Sequence, residues 1–232
     1  MTLDILRAIG LYLTLMLSVP LQAESGNNDD APPRKAIATQ ADYTKCVMNR
    51  RGYKAEKLLQ TIPGSEKESQ IFAELLIPRC LDQSELRMPS GSLRGAVAEA
   101  LFHRDFDGLF GKQRRSPLTI FEPVTVEKMR ELERRDLGRL YGLSIALCVA
   151  NRQPPVVSEM LDTQPASEAE QIKLTELIPD LQACVPAGQT LEFSSVMLRG
   201  LLAESAYRLS VHGQESTNLA LAILPAEPAG AS

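Results

Sequence analysis

The chain states part of itself twice. Cys-Val-Met-Asn-Arg at 46–50 returns as Cys-Val-Ala-Asn-Arg at 148–152, and at that offset (148 − 46 = 102) twelve of the thirty positions from Cys46 to Leu75 are identical. After a drift of two to three residues (184 − 80 = 104, 195 − 90 = 105) the copies rejoin. They do so as Ser90-x-x-Leu93-Arg94-Gly95-x-x-Ala98-Glu99 and Ser195-x-x-Leu198-Arg199-Gly200-x-x-Ala203-Glu204. Self-similarity at a fixed period indicates one structural unit built twice, so the shared positions carry the argument for the fold. The expected division is a first unit over 38–108, a connector over 109–124 and a second unit over 125–212.

Within each unit the signals are helical. A helix from about Thr39 to Arg51 should stop at Gly52, which adopts the left-handed C-terminal conformation cheaply. A short helix over Lys54–Leu59 should follow, ending at Thr61-x-Pro63, which recurs as Thr163-x-Pro165. Ser65-Glu66-Lys67-Glu68 and Ser167-Glu168-Ala169-Glu170 both match a capping box, in which the Ser hydroxyl accepts from the N3 amide and the N3 Glu reaches back to the N-cap amide. The helices starting there run through Ile71, Leu75 and Leu76, and through Ile172, Leu177 and Ile178, until Pro78 and Pro179 bend or end them. The last helix of each unit places Leu93, Val97 and Leu101, or Leu198, Leu202 and Tyr207, on one face. Gly95 and Gly200 cost such a helix about 1 kcal/mol each, and their recurrence points to another helix passing close by. Between the units a long helix over Val126–Asn151 is expected, with an extended piece at Leu118–Phe121 before it. The second short helix opens on Pro154-Pro155, where Pro is tolerated.

The N-terminal residues read as export machinery. Arg7 stands in a short n-region, Ala8–Val19 is mostly apolar, Pro20 breaks the run, and Leu21-Gln22-Ala23 suits cleavage. Residues 1–23 are thus expected to be a signal peptide, 24–37 a flexible leader poor in apolar residues, and 213–232 a tail with one apolar stretch at Leu219–Leu224. Ala8–Val19 is shorter than the ~20 residues a spanning helix needs, so no membrane span is expected once the signal is removed. Location should be periplasmic or secreted.

Behind a signal peptide an even cysteine count reads as a disulfide framework. The matched separations, 34 (80 − 46) and 36 (184 − 148), select Cys46–Cys80 and Cys148–Cys184. Zinc spacing and Cys-x-x-Cys are both absent from the sequence, so no metal or cofactor is expected. The formal charge of −4 argues against nucleic acid, whose binding is carried by clustered Lys and Arg. With no Trp in the chain, Leu, Ile, Val, Met and Ala must fill the core, which suits helix-on-helix packing.

The informative side chains are the duplicated polar ones: Asn49 and Asn151, Arg50 and Arg152, Glu74 and Glu176, Arg94 and Arg199, Glu99 and Glu204. As a site, they would form two equivalent pockets in which Arg clamps an anionic group bidentately and Glu or Asn orients it. Arg50, Arg94, Glu99, Arg152, Arg199 and Glu204 are therefore the candidate ligand-binding residues. As structure, Arg and Glu would tie helices together within each unit and Asn would cap the first helix. His103 with Asp105 and Asp107 could make a general-base cluster, although no nucleophile accompanies it.

The pattern Cys-Val-x-Asn-Arg, Thr-x-Pro-x-Ser, a second Cys, then Leu-Arg-Gly-x-x-Ala-Glu resembles exported proteins of alphaproteobacteria, especially sphingomonads. That resemblance spans Asp42 to Tyr207 and implies a Gram-negative periplasmic location, with no established activity and no functional residue to carry over. The expected fold is all-α, with two tandem disulfide-stapled units of about four helices each packed together. The expected function is a non-enzymatic module binding a protein, peptide or small ligand; the alternative is an enzyme using Arg94/Glu99, Arg199/Glu204 or the His103 cluster.

Overall fold

A computed structural model describes residues 34–81, 90–109, 111–114, 124–186, 189 and 192–212. The expected signal peptide, most of the leader, the extended piece at Leu118–Phe121 and the tail lie outside the described residues. So does the loop over 82–89.

Nine α-helices are present among the described residues. They are α1 Arg34–Gln60, α2 Glu66–Leu75, α3 Ser90–Asp105, α4 Val126–Arg130, α5 Arg134–Arg152, α6 Pro154–Asp162, α7 Glu168–Glu176, α8 Ile178–Cys184 and α9 Ser195–His212. A 3-10 turn, Pro78–Cys80, follows α2, and an antiparallel pair of two-residue strands, β1 Phe106–Asp107 and β2 Lys112–Gln113, follows α3. The pair is an addition to the sequence reading, and Leu109 anchors it by donating its amide to Ser158 Oγ on α6 at 2.8 Å.

Three expected boundaries are corrected. Helix α1 begins at Arg34, inside the segment read as leader, and runs on to Gln60. Its interruption is a single non-helical residue, Arg51 (φ −141°, ψ 37°), one position before the glycine expected to end it. Val126–Asn151 is not one helix: α4 stops at Arg130, and Glu133, in an extended conformation (φ −67°, ψ 156°), starts α5. No Gly or Pro marks that break. Nor does Asn cap the first helix of either unit. Asn49 is exposed in mid-helix, and Asn151 precedes the last residue of α5 with its buried Oδ1 unbonded among the described residues.

The disulfides are the pairs the spacing selects. Cys46–Cys80 joins α1 to the 3-10 turn and Cys148–Cys184 joins α5 to α8, with Cα separations of 5.7 and 5.9 Å. In the chain-entropy view each loop is worth about 3–4 kcal/mol.

The core is one large cluster, with a small second one formed by Ile62 and Leu140. Tyr43, Val47, Leu58, Leu93, Val97 and Leu101 meet Leu143, Leu147, Val157, Leu174, Leu202 and Tyr207 in the large one, all nearly inaccessible to solvent. At its centre α3 crosses α9 with glycine against glycine. A Cβ placed on Gly95 would lie 2.5 Å from Gly200 Cα, so the two backbones can approach this closely only without side chains there. The recurrent glycines thus mark a helix crossing, as their cost in a helix suggested.

Candidate functional site

On either side of the Gly95–Gly200 crossing an arginine is buried among helix ends. Arg94, on α3, donates Nε and Nη2 to Glu204 Oε2 and Oε1 at 2.7 and 2.8 Å, a bidentate pair. Its Nη1 reaches Leu58 O at 2.8 Å, Thr61 Oγ1 at 3.1 Å and Glu68 Oε1 at 3.0 Å, while Nη2 also reaches Leu59 O and Thr61 O. A helix leaves its last four carbonyls without intrahelical partners, and two of those ending α1, Leu58 O and Leu59 O, meet this guanidinium. The cation also suits the negative end of the helix dipole.

Arg199, on α9, repeats the arrangement. Nε and Nη2 pair with Glu99 Oε2 and Oε1 at 2.9 and 2.7 Å, and Nη1 reaches Met160 O, Thr163 Oγ1 and Glu170 Oε1 at 3.1, 3.3 and 3.0 Å. Nη2 completes the set on Leu161 O and Thr163 O, both at 2.9 Å. Every partner of Arg199 at the end of α6 and the start of α7 stands 102 residues after a partner of Arg94. The bidentate carboxylates cross over: each arginine takes the glutamate of the other final helix. The expectation that Arg and Glu tie helices within each unit is corrected on that point, because the Gly–Gly contact brings Glu204 to Arg94 and Glu99 to Arg199.

Glu68 and Glu170 link these arginines to the capping boxes. Ser65 Oγ accepts from Glu68 N at 3.2 Å and Ser167 Oγ from Glu170 N at 3.1 Å, as the boxes require. The return bonds differ from expectation, since Glu68 Oε2 accepts from Gly64 N at 2.7 Å and Glu170 Oε2 from Ala166 N at 2.6 Å, one residue before each N-cap. Gly64 (φ 85°) and Ala166 (φ 59°) both adopt the left-handed conformation that turns their amides toward the carboxylate. Glu68 and Glu170 are buried, at 2% and 4% exposure. Their second duty on an arginine draws them inward.

The two centres part company in their outer layer. At the first, Arg139 on α5 places Nη2 and Nη1 on Glu68 Oε1 and Oε2 at 2.9 and 3.0 Å, and Nη1 also meets Asp136 Oδ1 at 3.3 Å. Arg208 on α9 adds Nε and Nη2 to Glu204 Oε1 at 2.9 and 2.7 Å, with Nη2 on Leu59 O at 3.2 Å. Burial would raise the Glu204 carboxyl, but the charges of Arg94 and Arg208 and their hydrogen bonds outweigh it and hold it at about 2. Burial acts on Glu68 in the same sense and is likewise outweighed, by Arg94 and Arg139, so its pKa is lowered.

At the second centre the position matching Arg139 (139 − 102 = 37) is Ile37, and that matching Arg208 (208 − 105 = 103) is His103. His103 keeps one part of the pattern, its Nε2 lying 3.3 Å from Leu161 O, while Nδ1 faces Asp162 at 3.7 Å. Glu170 accepts only from Arg199 and Ala166 among the described residues. The Glu99 side chain is 21% exposed where that of Glu204 is 4%. A cavity of about 370 Å³ opens there between α1, α3, α9 and the Pro165–Ala166 turn, with Ile37, Ala96, Glu99, Glu170 and Arg199 in its wall. A second cavity, about 480 Å³, lies over the first centre against Arg94, Arg139, Phe193 and Glu204.

The remaining candidates do not gather. Arg50 is exposed on α1, whereas Arg152 pairs with Asp180 at 2.7 Å. Glu74 meets Lys54, and Glu176 meets Lys173 at 3.0 Å. The His103 cluster is dispersed: Asp105 is buried against Arg104 and Tyr207, and Asp107 pairs with Arg114 on the surface. That separation removes the general-base grouping read from the sequence. Arg139 and Arg208 give no signal among the recurring polar residues, because Ile37 and His103 stand at the matching positions. Comparing the copies for their differences would have found both arginines.

No protein-family model, curated protein or solved structure matches this chain, so the site rests on its own geometry.

Proposed function

We propose that the protein is an exported, non-enzymatic binding module made of two copies of one helical unit, 38–108 and 125–212, and that its ligand enters the cavity over Arg199, Glu99 and Glu170. The observation that carries this reading is the contrast between two centres with matching frames. Both border a cavity, but Glu204 in the wall of the first carries the guanidiniums of Arg94 and Arg208, whereas Glu99 and Glu170 in the wall of the second carry that of Arg199 alone among the described residues. Duplication is supported by partner sets that coincide at offsets of 102 and 105. Export to the periplasm or beyond is supported by the N-terminal sequence and the two disulfides, and no helix among the described residues is long and apolar enough to cross a membrane.

The enzymatic alternative has less behind it. Arg94 and Glu204 are committed to each other, and His103 faces Asp162 and Leu161. A buried, fully hydrogen-bonded charge network rigidifies and specifies a core.

The test is a thermal-shift screen of amino acids, amines, nucleotides, sugars and short peptides against the oxidised protein and its Ala96→Phe variant, which fills the cavity. At least one compound should raise the melting temperature of the unmodified protein and lose that effect in the variant. Hits that ignore the plug, or none at all, would remove the cavity as the binding site, and turnover of a hit would favour the enzymatic alternative.

A further inference from the structure

We infer that the cavity over the second centre takes an alkyl guanidinium, seated on Glu170 as the Arg139 guanidinium sits on Glu68. This names the ligand class for the site just proposed and rests on that reading.

The chain supplies the template. Glu68 and Glu170 hold equivalent places at the start of α2 and α7, each receiving one bond from an arginine on the crossing helices and one from a backbone amide in the left-handed conformation. Glu68 receives two more, one on each oxygen, from the fork of Arg139. At Glu170 the residue in the place of Arg139 is Ile37, and Ile37 and Glu170 line the same cavity. The first centre demonstrates that a second guanidinium is tolerated beside the first, because Arg94 and Arg139 share Glu68 Oε1 at 3.0 and 2.9 Å. Guanidinium is favoured over ammonium because its planar fork matches two carboxylate oxygens at once.

The walls fit the rest of such a ligand. Ile37, Ala41, Met48, Ala96 and Val196 line the same cavity, and an alkyl stem buries readily along such surface while its charged head is paired. Beyond Ile37 and Pro165 lies a further hollow of about 440 Å³, bordered by Asp42 and Glu168. Of the positive groups in the wall, Arg199 holds Glu170 as Arg94 holds Glu68, Arg104 is bound to Glu56 and Asp105, and Lys45 stands exposed. Lys45 would favour a ligand carrying a carboxylate at its far end. A free amino acid, a decarboxylated amine and a peptide side chain share the guanidinium and differ in that end.

The experiment is calorimetric titration of the oxidised protein with arginine, agmatine and Nα-acetyl-arginine amide, with Nα-acetyl-citrulline amide as the neutral isostere. The guanidinium compounds should bind one per chain and at least tenfold more tightly than the citrulline compound. Their order separates a free amino acid (arginine tightest) from an amine or a peptide side chain. Ile37→Arg should supply the guanidinium from within the chain, abolish binding and raise the melting temperature, so its result does not depend on a variant that fails to fold. Equal binding of the citrulline compound, no binding of any guanidinium at millimolar concentration, or undiminished binding by Ile37→Arg overturns the inference. If the screen with Ala96→Phe still yields plug-sensitive hits of another class, the ligand class falls and the binding module stands; if it yields none, both fall.

Discussion

At the first centre Arg94, Arg139 and Arg208 face Glu68, Glu204 and Asp136, whereas at the second Arg199 faces Glu170 and Glu99, with His103 alongside. The inner frame is common to both, an arginine joining the end of one helix to the start of the next and clasping a glutamate across the crossing. What differs is a second layer supplied by α5 and α9 in one case and replaced by Ile37 and His103 in the other. The difference teaches that the frame is a structural device able to hold its geometry with or without the outer cations. Both centres border a cavity, and in the one lacking them the wall carboxylates, Glu99 and Glu170, are left to a single guanidinium.

The largest effect should come from removing the inner arginines. Arg94→Met leaves Glu68 and Glu204 buried and short of a partner, and losing one member of a buried pair costs about 3–5 kcal/mol. Arg199→Met should cost about half as much, since Glu99 is partly solvated. Chemical denaturation of both variants checks the ranking, and equal losses would mean that the sealing of the first centre has no energetic weight. The same centre should govern acid stability. Glu204 and Glu68 have lowered pKa values in the folded state, so their contribution is complete above the unfolded value near 4.5 and is lost as pH falls below it, toward about 2 in the case of Glu204. Melting temperature followed from pH 6 to 2 should drop in that window, and Glu204→Gln should show lower stability at neutral pH with a shallower acid slope.

The left-handed turn before each cap comes next. Gly64→Ala would put a Cβ 2.1 Å from Asp136 Cβ at φ 85°, adding overpacking to backbone strain, and should cost about 3 kcal/mol. Ala166 holds the same conformation with a Cβ already present, so Ala166→Gly should gain about 1 kcal/mol. Opposite signs from one turn would confirm that the two positions are equivalent in backbone and unequal in surroundings, and equal signs would contradict it.

Exchanging the outer layer sharpens the comparison further. Arg139→Ile removes two charge-assisted bonds from Glu68 and should cost about 2 kcal/mol, discounted because Arg139 is partly exposed. The loss should be partly restored by added ethylguanidinium. Restoration by ethylammonium to the same degree would show that charge alone, and not the fork, is recognised there.

Much of this architecture was legible from residues. Helix starts at Ser65 and Ser167 follow from an oxygen placed three residues before a Glu, and the disulfide pairs follow from matched separations. The close crossing follows from a glycine kept in both final helices despite its cost. Periodicity reports which face of a helix is buried but not what lies opposite, so the exchange of Glu99 and Glu204 between arginines could not be read. Nor could the burial of Glu68 and Glu170, because a capping box looks the same whether its carboxylate meets water or a guanidinium. The break over Glu131–Glu133 carries no Gly or Pro, and the strand pair at Phe106–Gln113 is too short to show a period. Arg139 and Arg208 escaped because an unduplicated residue gives no signal when only shared positions are compared.

The smallest effects belong to the capping serines, and they test the common frame apart from the charges around it. Ser65→Ala and Ser167→Ala each remove one acceptor from a helix-start amide, at 3.2 and 3.1 Å, and should cost about 1 kcal/mol apiece. The losses should match, because Arg139 and Arg208 act on the glutamates and not on the hydroxyls. Glu68→Ala should exceed Ser65→Ala, since it strips a backbone amide and two guanidiniums of their acceptor, and it should exceed Glu170→Ala, where a single guanidinium is affected. Thermal unfolding of the four variants ranks them directly. Unequal serine losses would show that the outer cations reach into the cap geometry, and the frame could then no longer be treated as independent of the layer that distinguishes the two centres.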